Sequence, residues 1–122
     1  MSDELTSLEK QEFALGVHED DANKVFKEWS RDTAQRLARE MKLSLTDKHW
    51  QVIEFLRLHY ANTGPAKHAR EITQVINERF VAEGGSRFLY DLFPQGPVSA
   101  GCRLAGVPVP RDAQDAHFGS VQ

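Results

Sequence analysis

One residue in this sequence carries nucleophilic chemistry in a distinctive setting. Cys102 is the single cysteine; Gly101 precedes it, Arg103 follows it, and Gly106 to Pro110 lead from it toward the C-terminus. A guanidinium beside a thiol favours the thiolate, the form that attacks sulfur and that a nearby chain end can present to another protein. The plainer reading is a small buried hydrophobe. The five histidines, His18, His49, His59, His68 and His117, are scattered. His49 and His59 stand roughly three turns apart on one expected helix, too far to share a metal ion. The sequence has no Gly-rich phosphate loop, paired carboxylate motif, nucleophile elbow or metal-spaced Cys/His set. Neither metal nor cofactor is expected, and the absence argues against most self-sufficient enzymes.

The elements around Cys102 read as helices. From Ala22 to Met41 the apolar residues Ala22, Val25, Phe26, Trp29, Ala34, Leu37, Ala38 and Met41 recur mostly at three- and four-residue steps, which predicts an amphipathic helix. Asp20, Asp21 and Ser30 each qualify as its N-cap. Thr46 caps a second helix, with Trp50, Ile53, Phe55, Leu56 and Tyr60 on its inner side and Gly64-Pro65 as its stop. A third spans about 66–82, with Ala69, Ile72, Val75, Ile76 and Phe80 on one side and Gly84-Gly85 beyond it. Short helices are expected at 86–93, wedged into the core, and at 98–105, closed by Gly106. Val107-Pro108-Val109-Pro110 must be extended, because each proline forces the preceding residue out of the helical region. Residues 111–122 read as a mobile tail. Period-two alternation of Phe13, Leu15 and Val17 suggests a strand near 12–18. Trp29, Trp50, Phe55, Tyr90 and Phe93 are expected in the core.

The sequence has 122 residues, suited to one domain, and its lone cysteine forbids an internal disulfide. No basic n-region followed by an apolar stretch opens it and no long apolar run occurs, so a soluble cytoplasmic protein without a membrane span is the default. Residues 1–21 hold seven acids and one base, Lys10, for a net charge of −6, whereas the rest holds 14 bases and 11 acids. The division expected is an acidic N-terminal arm (1–21), a helical domain (22–106) and a flexible C-terminal arm (107–122). The second and third helices can also be read as a helix-turn-helix. The reader would carry Lys67, Arg70, Arg79 and Arg87 against Glu71, Glu78 and Glu83, too balanced to neutralise much phosphate, so nucleic acid is a weak partner.

Two runs carry a family resemblance. Phe88-Leu89-Tyr90-Asp91-Leu92-Phe93-Pro94-Gln95-Gly96-Pro97, followed by Gly101-Cys102-Arg103-Leu104-Ala105-Gly106-Val107-Pro108-Val109-Pro110, resembles the C-terminal signature of the DsrC/TusE/DsvC sulfur-relay family. Leu45-Thr46-Asp47-Lys48-His49-Trp50-Gln51-Val52-Ile53-Glu54-Phe55-Leu56-Arg57 is similar to that family's central helix, and Trp29, Ala34, Leu37 and Ala38 to its first. The resemblance covers roughly residues 26–110. It implies a mainly α, small helical bundle with a short N-terminal β-hairpin and an extended C-terminal arm. It also implies a function: sulfur carried as persulfide or trisulfide on arm cysteines and exchanged with sulfurtransferases, sulfite-reductase-type proteins or the proteins of tRNA thiolation.

The sequence departs from that pattern at one position. Cys102 matches the upstream arm cysteine, whereas ten intervening residues further on, at the position of the sulfur-accepting cysteine that the TusE branch retains, stands Ala113. A disulfide or trisulfide within the arm is therefore ruled out, leaving a persulfide on Cys102, a mixed disulfide with a partner, or a disulfide-linked homodimer. The alternative is a cysteine-independent regulatory or interaction homologue, DNA-binding through the helix pair. Arg70 and Arg103 are the candidates for steering sulfur anions or stabilising the thiolate, against the plainer reading of surface ion pairs.

Overall fold

In the computed structural model, which describes residues 17–113, the stretch expected to be one long helix is two. Helix α1 covers Val17–Glu28 and α2 covers Arg31–Glu40. Ser30 is extended between them (φ −144°) and caps α2: its Oγ accepts from the Thr33 N–H at 3.4 Å, while its own N–H donates to Thr33 Oγ1 at 3.2 Å. The sequence marks the break, since the apolar steps of three and four are interrupted by a step of five from Trp29 to Ala34. At the far end of α2, Lys42 turns left-handed (φ 59°), and the Leu43 N–H bonds back to the Ala38 carbonyl at 2.8 Å.

Helix α3 spans Asp47–Thr63 and starts at Thr46, as expected. The third expected helix is shorter than its apolar pattern: α4 covers Ala69–Arg79, and a 3₁₀ turn, Val81–Glu83, follows the kink at Phe80. Helix α5, Ser86–Leu92, buries Leu89. Tyr90, expected in the core, is 56% exposed, because one residue's advance turns it about 100° away from the inward line of Leu89. Trp50 and Phe93 are buried, and Trp29 and Phe55 are partly so. Helix α6, Pro97–Ala105, has proline at its first position, where a missing N–H costs nothing.

Helix α6 is the hub, packed against α2, α3, α4 and α5. Its composition explains this: Ala100, Gly101, Cys102 and Ala105 are small enough for neighbouring helices to close in from several sides. A Cβ on Gly101 would lie 3.0 Å from Leu56 Cδ1 of α3. Around it, Ala34, Ala38, Ile53, Leu56, Ile72, Ile76, Phe80, Leu89, Phe93 and Leu104 form one continuous core.

Among the described residues the fold is helical. Of the strand expected near 12–18, Val17 and His18 instead open α1, and residues 12–16 lie outside the described residues, as do the rest of the acidic arm before Val17 and residues 114–122. Residues 108–110 have no regular structure, and 111–113, expected as the start of a mobile tail, form a helical turn. No helix among the described residues is long and apolar enough to cross a membrane.

Candidate functional site

Cys102 lies in the second half of α6 and is fully enclosed. Burial pushes its thiol up to about 12, since an ion in that surrounding would lose its hydration without a compensating charge. This overturns the expectation of a thiolate favoured by Arg103. Adjacent helical residues diverge by about 100°, so while Cys102 turns inward, Arg103 projects into solvent. Arg70, exposed on the first turn of α4, does not meet it either: neither guanidinium makes a hydrogen bond or ion pair with another described residue. The structure thus leaves the three sequence candidates apart. The enclosed sulfur also gives no support to a disulfide-linked dimer, which needs two thiols at separate surfaces.

The helical repeat sets which residues share a stripe with Cys102. Val98 and Ser99 precede it by four and three residues, so all three share one stripe of α6. Val98 and Ser99 line an open groove of about 400 Å³ whose other walls include Ala69 and Thr73 of α4, Tyr90 of α5 and Ala113 of the arm. Ala113, the position aligned by resemblance with a second cysteine, therefore faces the same groove as the Cys102 stripe.

Three ties around this helix were not apparent from sequence. At its C-terminal end the Trp29 indole N–H donates to the Leu104 carbonyl at 2.7 Å, and Arg57 donates to the Ala105 carbonyl at 2.8 Å and the Phe26 carbonyl at 3.0 Å. The Arg57 guanidinium lies 4.0 Å from the ring centres of both Phe26 and Trp29. Partial burial lowers its pKa, though an arginine stays charged at any ordinary pH. Carbonyls at a helix C-terminus lack intrahelical donors, and here the two side chains supply them. Gly106 then turns left-handed (φ 70°) against Trp29; a Cβ there would lie 2.7 Å from Trp29 Cδ1.

The second tie is the buried His49. Its Nδ1 accepts from the Thr46 N–H at 3.0 Å, which places the proton on Nε2, and that N–H donates to the Leu92 carbonyl at 2.7 Å. It fastens the start of α3 to the end of α5, so it serves as a neutral brace. The third tie holds the arm. The Ala69 N–H, at the start of α4, donates to Asp112 Oδ1 at 2.8 Å, and His68 Nδ1 stands 3.8 Å from Asp112 Oδ2. Only the motif context of Trp29, His49 and Arg57 hinted at special roles. Asp112 had no sequence signal, because its partners lie 43 and 44 residues away. No three His, Cys, Asp or Glu side chains among the described residues are grouped to hold a metal ion.

Comparison with known proteins adds the chemistry. Residues 11–113 match the family described as DsrC like protein. Sulfurtransferase TusE of Photorhabdus laumondii subsp. laumondii is 40% identical over 86 residues, covering 68% of this chain and 76% of the relative. The NMR structure of Allochromatium vinosum DsrC is similar with a TM-score of 0.60 at 38% identity, covering 69% of this chain and 76% of that one. The crystal structure of the oxidised gamma-subunit of the dissimilatory sulfite reductase (DsrC) from Archaeoglobus fulgidus is similar with a TM-score of 0.57 at 31% identity, covering 70% and 79%.

Proposed function

The chain belongs to the family of DsrC-like proteins, and from that membership we propose that its sulfur-relay function runs through Cys102. The observation that carries this reading is positional: the only thiol shares an α6 stripe with Val98 and Ser99, which line the groove that Ala113 also lines. Relatives named as sulfurtransferases and as a sulfite-reductase subunit favour relay over the DNA-binding reading.

The chemistry is a sulfane-sulfur exchange. The Cys102 thiol loses its proton to solvent, and the thiolate attacks the outer sulfur of a donor persulfide. The Cys102 S–S bond forms as the donor's S–S bond breaks, the donor leaves as a thiolate that takes up a proton, and no net oxidation occurs. An acceptor thiolate then removes the outer sulfur by the same step reversed. Because the closed structure holds the sulfur as a neutral thiol, exchange requires the C-terminal arm or the end of α6 to open first. Enclosure thereby protects the thiol from indiscriminate oxidants and reserves it for a donor that engages the surface.

Arg103 on α6 and Arg70 on α4 steer anionic sulfur toward that opening as exposed positive charges. The partners are sulfurtransferases or sulfite-reductase-type proteins, and a single unpaired cysteine suits a reducing, cytoplasmic compartment. The protein acts as a carrier, not as a free-standing enzyme. Incubation with a persulfide-loaded sulfurtransferase should add the mass of one sulfur atom to the wild-type protein and nothing to Cys102→Ser. An unmodified wild-type protein, under conditions where the donor loads another acceptor, sinks the reading.

A further inference from the structure

The start of α4 is capped from an unusual place. His68, its N-cap residue, is extended (φ −134°, ψ 146°) and its side chain makes no capping hydrogen bond. The missing acceptor comes instead from the arm: Asp112 Oδ1 takes the Ala69 N–H at 2.8 Å, with His68 Nδ1 3.8 Å from the other carboxylate oxygen. A carboxylate at a helix N-terminus is favoured by the helix dipole. This contact closes the arm on the body. Val107 leaves α6 with its N–H on the Cys102 carbonyl at 3.1 Å, Pro110 is buried, and Asp112 then pins the turn that sets Ala113 against the groove.

We propose that Asp112 is a positioning residue for Cys102: by capping α4 it holds the arm closed over the Cys102 stripe of α6 and so sets how often the thiol can be reached. This rests on the relay reading for its biological use, but not for its physical test. One feature suits the tie to a releasable closure: it is about half exposed, with 53% of the Asp112 side chain open, so an approaching partner can compete for it. A partner that offers another carboxylate to the start of α4, or a base to Asp112, would open the arm without unfolding the core.

The test is the rate at which iodoacetamide alkylates Cys102 in the folded full-length protein at fixed pH, followed by intact mass. Removing a capping carboxylate should raise the Asp112→Ala rate about fivefold, and Asp112→Asn, whose amide oxygen can still cap, should stay within about twofold of wild type. Arg111→Ala, on the same turn but outside the cap, is the control expected to match wild type. Equal rates for wild type and Asp112→Ala overturn the proposal. So does an increase shared by Arg111→Ala. Alkylation reads access alone, so a failed relay would appear separately, as no sulfur adduct on any variant however fast its thiol is alkylated.

Discussion

Two of the contacts that restrain the chain around and after Cys102 are built differently. The first, at the end of α6, joins Trp29 and Arg57 to the carbonyls of Leu104 and Ala105, stacks the guanidinium on two rings and leaves Gly106 no room for a side chain. The second joins one half-exposed carboxylate to one backbone N–H and one imidazole. Hydrogen bonds from a charged donor are worth about 1.5–3 kcal/mol, and more is lost when a shielded carbonyl is abandoned. A single cap is worth about 1 kcal/mol, and exposed ion pairs add little. The same segment is thus anchored firmly near the helix and lightly near its far end. A hinged strap needs that gradient: opening begins at Asp112 and stops at Gly106.

The strongest way to break the contrast is at the anchor. Gly106→Val places a β-branched side chain in a left-handed backbone and against the Trp29 ring, and should cost about 3 kcal/mol or more in urea unfolding. Arg57→Ala should cost about 3 kcal/mol through two lost hydrogen bonds and two ring contacts. Arg57→Lys should recover less than half of that, because one ammonium cannot copy the planar fork. A loss below about 1 kcal/mol for Arg57→Ala would show that the anchor is no firmer than the clasp.

Titration sharpens the comparison from the side of the thiol. Folding raises the Cys102 pKa from 9.0 to about 12, so the unfolded chain releases that proton at lower pH than the folded chain does. The contribution is fully present below about pH 9 and is lost as pH rises toward 12, by up to about 1.4 kcal/mol per unit. Cys102→Ala should remove this part of the alkaline slope; an unchanged slope would mean that the thiol is not enclosed in solution. The smallest effects belong to the exposed contacts. Asp112→Ala should lower stability by no more than about 1 kcal/mol, and Glu54→Gln, which breaks the Arg31–Glu54 pair, by less. An Asp112→Ala loss equal to that of Arg57→Ala would erase the gradient.

Much of the helix order was legible because glycines and prolines punctuate it: Gly64-Pro65, Gly84-Gly85, Gly96-Pro97 and Gly106 each stand at an element boundary. The break at Ser30 was present as the five-residue step to Ala34, but a pattern of threes and fours on both sides outweighed it. The burial of Cys102 was not legible from α6 itself. Nearly every residue there is small or apolar, so the sequence shows no polar face from which to infer the direction of the sulfur. Adjacency to Arg103 misled because neighbours in a chain are not neighbours around a helix. The clasp at Asp112 was invisible for another reason: it joins a carboxylate to a backbone N–H, and a backbone N–H has no sequence identity.

The same property has a consequence at the anchor. Both acceptors of Arg57, at Phe26 and Ala105, and the acceptor of Trp29, at Leu104, are main-chain carbonyls. Arginine and tryptophan there follow the course of the backbone and are indifferent to the side chains at 104 and 105, which answer only to packing, whereas Phe26 also offers its ring to the Arg57 guanidinium. Randomising Leu104 and Ala105 among residues of similar volume should therefore yield many folded proteins, whereas randomising Trp29, Arg57 or Gly106 should yield few. The mutational tolerance of this joint is set by Trp29, Arg57 and Gly106, positions spread across the chain, and the side chains at 104 and 105 are free to vary within their volume.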